Sequence, residues 1–242
     1  MSPETLHARK GASPCRSNTA PMKPFSRTLR SGIVVMNTRP AHAPQLEQLQ
    51  ITVFPTLAET QLFRAPHYLK HIEIFPEGQF VALDGDRVVG MTTTVRLDLD
   101  RAHPDTFDDV ICGGWCTAHD PLGLWMYGLD VGAHPDCRGR GVGRALYAAR
   151  HEMARRLGMS GQATAGMLSG YGRLREQMTV EAYYDKVVSG EIRDPTVSAQ
   201  MHVGFQPRGL IREYIDDPVC ANCCVDLVLP IEIDVGADWA DE

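Results

Sequence analysis

What the 242-residue chain lacks narrows its class first. No run approaches the ~18 consecutive apolar residues that a membrane-crossing helix requires, which excludes an integral helical membrane protein. There is no basic excess: 24 Lys and Arg stand against 30 Asp and Glu, and a formal net charge of −6 argues against a dedicated nucleic-acid binder. The N-terminal region lacks the apolar segment of a secretory signal. Seven cysteines, an odd number, do not make a disulfide framework and point to reduced thiols in a cytoplasm. What is present is globular: 43% hydrophobic and 22% charged residues, in a chain long enough to bury a substantial core.

The charge is unevenly spread. Residues 1–31 hold six basic residues against Glu4, a net +5, which leaves −11 on the remainder. This stretch is rich in Ser, Pro and Thr without apolar periodicity, so a solvated N-terminal tail is expected over 1–31 and a short acidic tail over 235–242. Cys112-x3-Cys116 and Cys220-Ala-Asn-Cys223-Cys224, with His119 nearby, match zinc spacings only loosely, and Cys224 runs straight into the apolar stretch 225–229. Idle or buried thiols are the preferred reading, and no metal is expected.

Between the tails one pattern runs without a linker, which predicts a single α/β domain over 32–234. A strand is expected at 33–39 and stopped by Pro40, then a helix over 43–53 with Pro44 in its first turn. A weaker helical stretch over 57–74 is interrupted by Pro66. Residues 79–83 and 87–96 flank Asp84-Gly85-Asp86 as a hairpin. Residues 98–123 read as a functional loop and 124–133 as a strand. The strongest helix spans 141–157, with Val142, Leu146, Ala149, Met153 and Leu157 on one stripe and Arg144, Arg150, Arg155 and Arg156 assigned to the other side. A strand at 161–168, helices at 180–188 and 198–203, and strands at 211–215 and 223–233 complete the chain.

The chemistry concentrates where the strand ending at Ala133 meets that helix. A Gly-rich turn before a long helix suits a pyrophosphate, because the first helical N–H groups lack partners and the macrodipole is positive there. A dinucleotide fingerprint begun at Gly139 would need glycine at 144, where Arg144 stands. A Walker A loop would need a Gly-Lys-Ser/Thr that is missing. Arg138-x-x-Gly141-x-Gly143 instead resembles the R/Q-x-x-G-x-G/A motif of the GNAT superfamily of N-acetyltransferases. The element order from about Ile33 to Leu229 is similar to that family's. The stretch from His71 through Phe75-Pro-Glu-Gly-Gln-Phe80 to Arg96, and Gly114-Trp-x-x-x-His119-Asp120-Pro, resemble a branch found attached to carbon–nitrogen hydrolases, here expected to be free-standing.

The resemblance implies a GNAT fold: a mixed, mostly antiparallel twisted sheet of six to seven strands flanked by helices. It implies acetyl-CoA as cosubstrate, with Val131, Gly132 and Ala133 along the pantetheine arm. The pyrophosphate would lie on the backbone of Gly139, Arg140, Gly141, Val142, Gly143 and Arg144, with Arg138 opening the motif. Many GNAT enzymes place a proton-donating Tyr four residues before a Gly-Phe pair; here Gln200 precedes Gly204-Phe205, and glutamine supplies no proton at neutral pH. Tyr183 or Tyr184, with Tyr184 as the choice, or water would then protonate the leaving thiolate. An attacking amine must be neutral, and the base candidates are His119, Asp120 and Asp130, with His119 and Asp130 preferred. The acidic body and Asp98, Asp100, Asp105, Asp108 and Asp109 favour a cationic acceptor, a small-molecule or peptide amine, and Trp115 or Trp125 would wall its site. A homodimer is the self-association admitted; nucleic acid and membrane are not partners. The expected activity is acyl-CoA-dependent N-acyl transfer, and the alternative is a catalytically weak acyl-CoA-binding sensor or adaptor.

Overall fold

In a computed structural model, residues 23–99 and 104–241 are described. Strands β1 (Ser26–Thr28), β2 (Val34–Asn37), β3 (Phe80–Asp84), β4 (Arg87–Leu97), β5 (Trp125–Ala133), β6 (Gly161–Met167), β7 (Gln206–Ile211) and β8 (Cys224–Pro230) form one sheet in the order β1-β2-β3-β4-β5-β6-β8-β7. Every neighbouring pair is antiparallel except β5 and β6, which the long helix between them forces parallel. The helices are α1 (Ala43–Val53), α2 (Ala65–Ile74), α3 (Phe107–Ile111), α4 (Val142–Arg156), α5 (Val180–Val188) and α6 (Val197–Val203).

Eight strands replace the expected six to seven because the fold begins earlier than the composition suggests. Phe25 and Leu29 flank β1 and are both 2% exposed, and the Phe25 ring meets Phe80 at 5.7 Å and Trp239 at 6.0 Å. Residues 23–31 are therefore part of the domain; residues 1–22 of the expected tail lie outside the described residues. The acidic end is likewise no tail: Val235 is buried, Ala240 N–H donates to Thr28 O at 2.8 Å, and Asp238 and Asp241 stand against Arg30. Opposite charges at Arg30 and in the C-terminal segment thus lie side by side.

The helix over 43–53 forms as expected, and Pro66 opens α2 instead of interrupting a helix, since proline's missing N–H costs nothing in a first turn. The strand expected at 211–215 lies earlier, at 206–211, on the sheet edge where Pro207 is tolerated. Tyr214 and Ile215 turn inward instead, and the Tyr214 hydroxyl meets that of Tyr127 at 2.8 Å. Arg150, assigned to solvent, is 0% exposed. α4 is buried against the sheet, where Arg150 lies beneath Gly128, while Tyr147 meets Gln200 of α6 and His151 meets Ile233 O, so its covered surface is wider than the apolar stripe.

Phe63, 0% exposed, packs edge-on to His71 at 4.9 Å and Tyr68 at 6.0 Å and meets Phe107 at 6.4 Å, tying α2 and α3 together. Phe63→Ala is expected to cost about 3–5 kcal/mol in denaturant unfolding. A loss below about 1 kcal/mol would show that this contact is dispensable.

Candidate functional site

The site is made by a fork in the sheet. β5 pairs β6 only from Trp125↔Gly161 to Gly128↔Thr164. Beyond that, residues 129–133 continue along β4 while residues 165–167 continue along β8. Two strand edges with unspent backbone groups then face each other, a natural receptor for a linear amide-bearing ligand. The divergence has a local cause. Opposite β4 the register steps from Thr94↔Gly128 to Thr93↔Asp130, leaving Leu129 as a bulge residue, and bulges bend and twist their strand. The bulge also switches faces: a Cβ on Gly128 would point at Arg150 of α4, whereas one on Gly132 would point at Val53 of α1. Val131, Gly132 and Ala133, the residues expected along a pantetheine arm, occupy the free edge of the fork.

The Gly-rich turn lies at the end of β5. Gly139 and Gly141 have φ of 77° and 82°, values that exclude most side chains, and Gly141 caps α4. The first helical bond is Ala145 N–H to Gly141 O at 3.0 Å, which places the amides of Val142, Gly143 and Arg144 ahead of it. A Cβ built on Gly139, Gly141 or Gly143 meets no atom within 4 Å. The turn is thus an open cradle of backbone donors at a positive helix end, and it fits a pyrophosphate. The arginines contribute less than their number suggests. Arg140 donates to Asp84 Oδ2 at 2.6 Å, and Arg144 Nε donates to Gly236 O at 2.7 Å. Arg138 is exposed.

Asp130 sits just past the bulge, 8% exposed. Its Oδ1 accepts from Thr93 N–H at 2.5 Å and its Oδ2 from Thr93 Oγ1 at 3.2 Å. Burial raises its pKa to about 6, against the pull of the Thr93 bonds and of Arg150. Behind it α2 supplies Tyr68 and His71. The His71 Nε2 lies 2.7 Å from Gly114 O and 3.2 Å from Cys116 Sγ, and burial lowers its pKa to about 4, so the imidazole is neutral near pH 7.

His119 is not beside Asp130. Its Nδ1 accepts from Arg96 N–H at 3.1 Å and its ring lies on Phe75 at 5.2 Å. Arg96 is three residues along β4 from Thr93, roughly 10 Å. Burial and Arg96 lower the His119 pKa, which suits a histidine that pins the 112–124 loop to β4. Asp120 turns that loop, its Oδ1 accepting from Leu122 N–H at 2.9 Å. The Tyr183 hydroxyl donates to Asp194 Oδ2 at 2.9 Å, and Tyr184 is half-buried on α5. The phenol that meets Gln200 is Tyr147 of α4, whose oxygen accepts from Gln200 Nε2 at 3.0 Å. Neither Tyr147 nor Arg150 stood out in the sequence; their signal was position, since 147 and 150 follow 143 and 146 by four on a helix buried on two sides.

Part of the acidic loop is spent locally: Asp109 Oδ2 accepts from Thr106 N–H at 2.8 Å and Asp108 Oδ2 from Gln61 Nε2 at 3.1 Å, while Asp100 lies outside the described residues. Trp115 is 45% exposed and stacks edge-on to His67 at 4.6 Å. Among the described residues, no three His, Cys, Asp or Glu side chains are grouped to hold a metal ion, and no helix is long and apolar enough to cross a membrane.

A forked sheet with a glycine cradle at the helix below it defines a coenzyme-A-binding acyltransferase fold. The profile of the Acetyltransferase (GNAT) family matches residues 43–166, and the chain belongs to that family. It is 31% identical over 186 residues to the probable hydrolase YhcX of Bacillus subtilis, a match covering 76% of this chain but 36% of that protein, so the chain spans about a third of this relative's length. It is 24% identical over 192 residues to the uncharacterised N-acetyltransferase YkwB of B. subtilis, covering 78% of this chain and 85% of that one. Among solved structures, the GphF GNAT-like decarboxylase in complex with isobutyryl-CoA superposes with a TM-score of 0.69 at 22% identity, covering 82% of this chain and 99% of that one. That last likeness speaks for the fold.

Proposed function

We propose that this protein is an acyl-CoA-dependent N-acyltransferase that moves an acetyl group from acetyl-CoA to a cationic primary amine within a ternary complex. The observation that carries the reading is the fork: two strand edges diverging at Gly128↔Thr164, with an open glycine cradle at the adjoining helix start. Bound acetyl-CoA supplies an activated thioester at that point. The protein's part is positioning: backbone groups of residues 131–133 hold the arm and amides at the start of α4 hold the pyrophosphate. Asp130 Oδ2 takes the proton from the arriving amine, which approaches from the α1–α2 face. Its pKa of about 6 leaves it ionised near pH 7 yet basic enough for the task. Tyr147, hydrogen-bonded to Gln200, or water returns a proton to the departing sulfur, with Tyr184 a more remote donor on α5. The net charge of −11 outside residues 1–31 steers cations toward the protein, and a cytoplasmic location supplies the cosubstrate.

The test is thiol release from acetyl-CoA in the presence of spermidine, an aminoglycoside or a lysine-bearing peptide. Release dependent on both acetyl-CoA and one of these amines is expected. Binding of acetyl-CoA without release by any amine would favour the second reading, an acyl-CoA sensor or adaptor, which the glutamine at position 200 supports.

A further inference from the structure

We propose that the fork is built for an acyl-CoA whose acyl group ends in a carboxylate, received by the free edge of Arg150; this rests on the coenzyme A reading above. Arg150 is fully buried, and its guanidinium lies under Gly128, the last β5 residue paired to β6. A Cβ at Gly128 would collide with Arg150 Nη2, so glycine is what lets the charge reach the floor of the fork. Arg150 Nη1 reaches Thr92 Oγ1 at 3.4 Å and the guanidinium carbon lies 5.4 Å over the Tyr147 ring. Nε and Nη2 have no partner. Those two atoms carry the parallel N–H groups along one side of the guanidinium, the fork that a carboxylate accepts with both oxygens.

A buried charge with two unbonded donors bears a heavy desolvation penalty, and Asp130 offsets it only through space, without a hydrogen bond to either donor. The bulge puts the Asp130 carboxylate on the face opposite Arg150, where both oxygens accept from Thr93. Across the fork, β6 presents Gly166, whose Cβ would collide with Gln200 Oε1, and that oxygen is also buried without a partner. A glycine on each strand thus admits one unsatisfied polar group from the helices below, and Tyr147 links the pair. These atoms are out of contact with solvent and lie at the base of the fork, so the carboxylate that suits them is one at the end of an acyl chain led in between the strands.

Calorimetric titration of the full chain with length-matched thioesters tests this: succinyl-CoA against butyryl-CoA and malonyl-CoA against propionyl-CoA, with acetyl-CoA as reference. At least one carboxylated member is expected to bind tenfold or more tightly than its match. In Arg150→Met the ratio is expected to fall below threefold, with Arg150→Lys in between. If Arg150→Met does not fold, the wild-type ratios decide alone. Acetyl-CoA binding with both ratios below tenfold would overturn the inference and leave the coenzyme A reading standing, as would a preference that survives in folded Arg150→Met. Failure of every thioester, acetyl-CoA included, would overturn both.

Discussion

Replacing Gly143 by glutamate is expected to abolish the thermal stabilisation that acetyl-CoA confers on the wild-type protein. At about 100 times its dissociation constant a ligand adds about 2.7 kcal/mol, or roughly 5–11 °C for a domain of this size. The variant is a clean probe because a Cβ at 143 meets nothing within 4 Å, so the side chain enters open space without disturbing the fold. Its carboxylate then stands among the amides of Val142, Gly143 and Arg144, where it repels a pyrophosphate and takes the donors that would bind it. The comparison is a pair of melting curves with and without saturating acetyl-CoA. An equal rise in both proteins would move the phosphate site away from α4.

Asp130→Asn is expected to lower turnover by roughly 10²–10⁴-fold while making the protein more stable at neutral pH. The sign follows from the titration. Burial lifts the folded-state pKa from 3.8 to about 6, so the folded protein holds this proton more tightly than the unfolded chain. The stability linked to that proton is fully present below about pH 4 and is lost as pH rises through 6, which amounts to about 3 kcal/mol at neutral pH. Asparagine stays neutral and keeps the geometry: its carbonyl accepts from Thr93 N–H and its amide donates to Thr93 Oγ1. Variant and wild type should therefore melt alike near pH 4 and separate above pH 6, the variant higher. Wild-type turnover should fall as pH drops through 6, and the residual rate of the variant should not follow that inflection. A variant as active as wild type would remove Asp130 from the chemistry, whatever its stability.

The stability that the Asp130→Asn substitution is expected to restore is the cost of holding a carboxylate in a dry site, an environment that a purely structural core would avoid. Arg150 belongs to the same class. Asp130 follows the bulge at Leu129 and Arg150 lies under Gly128 just before it, so the bulge decides which face of the sheet each one meets.

The family, the order of most elements and the Gly-rich turn before α4 are legible in the bare chain, because each of these is local. Periodicity of three and four residues marks α4, and a glycine motif between strand and helix marks the cradle, with no knowledge of what packs where. The remainder waited on packing. β1 and the C-terminal segment belong to the domain because Phe25 and Trp239 meet across more than 200 residues, a contact that composition cannot register. His119 is separated from Asp130 by the path of the loop along β4, and Arg150 belongs to the core because β4 and β5 cover it at Thr92 and Gly128. In each case the deciding fact was which other segment covered the residue, and coverage is a property of the packed chain.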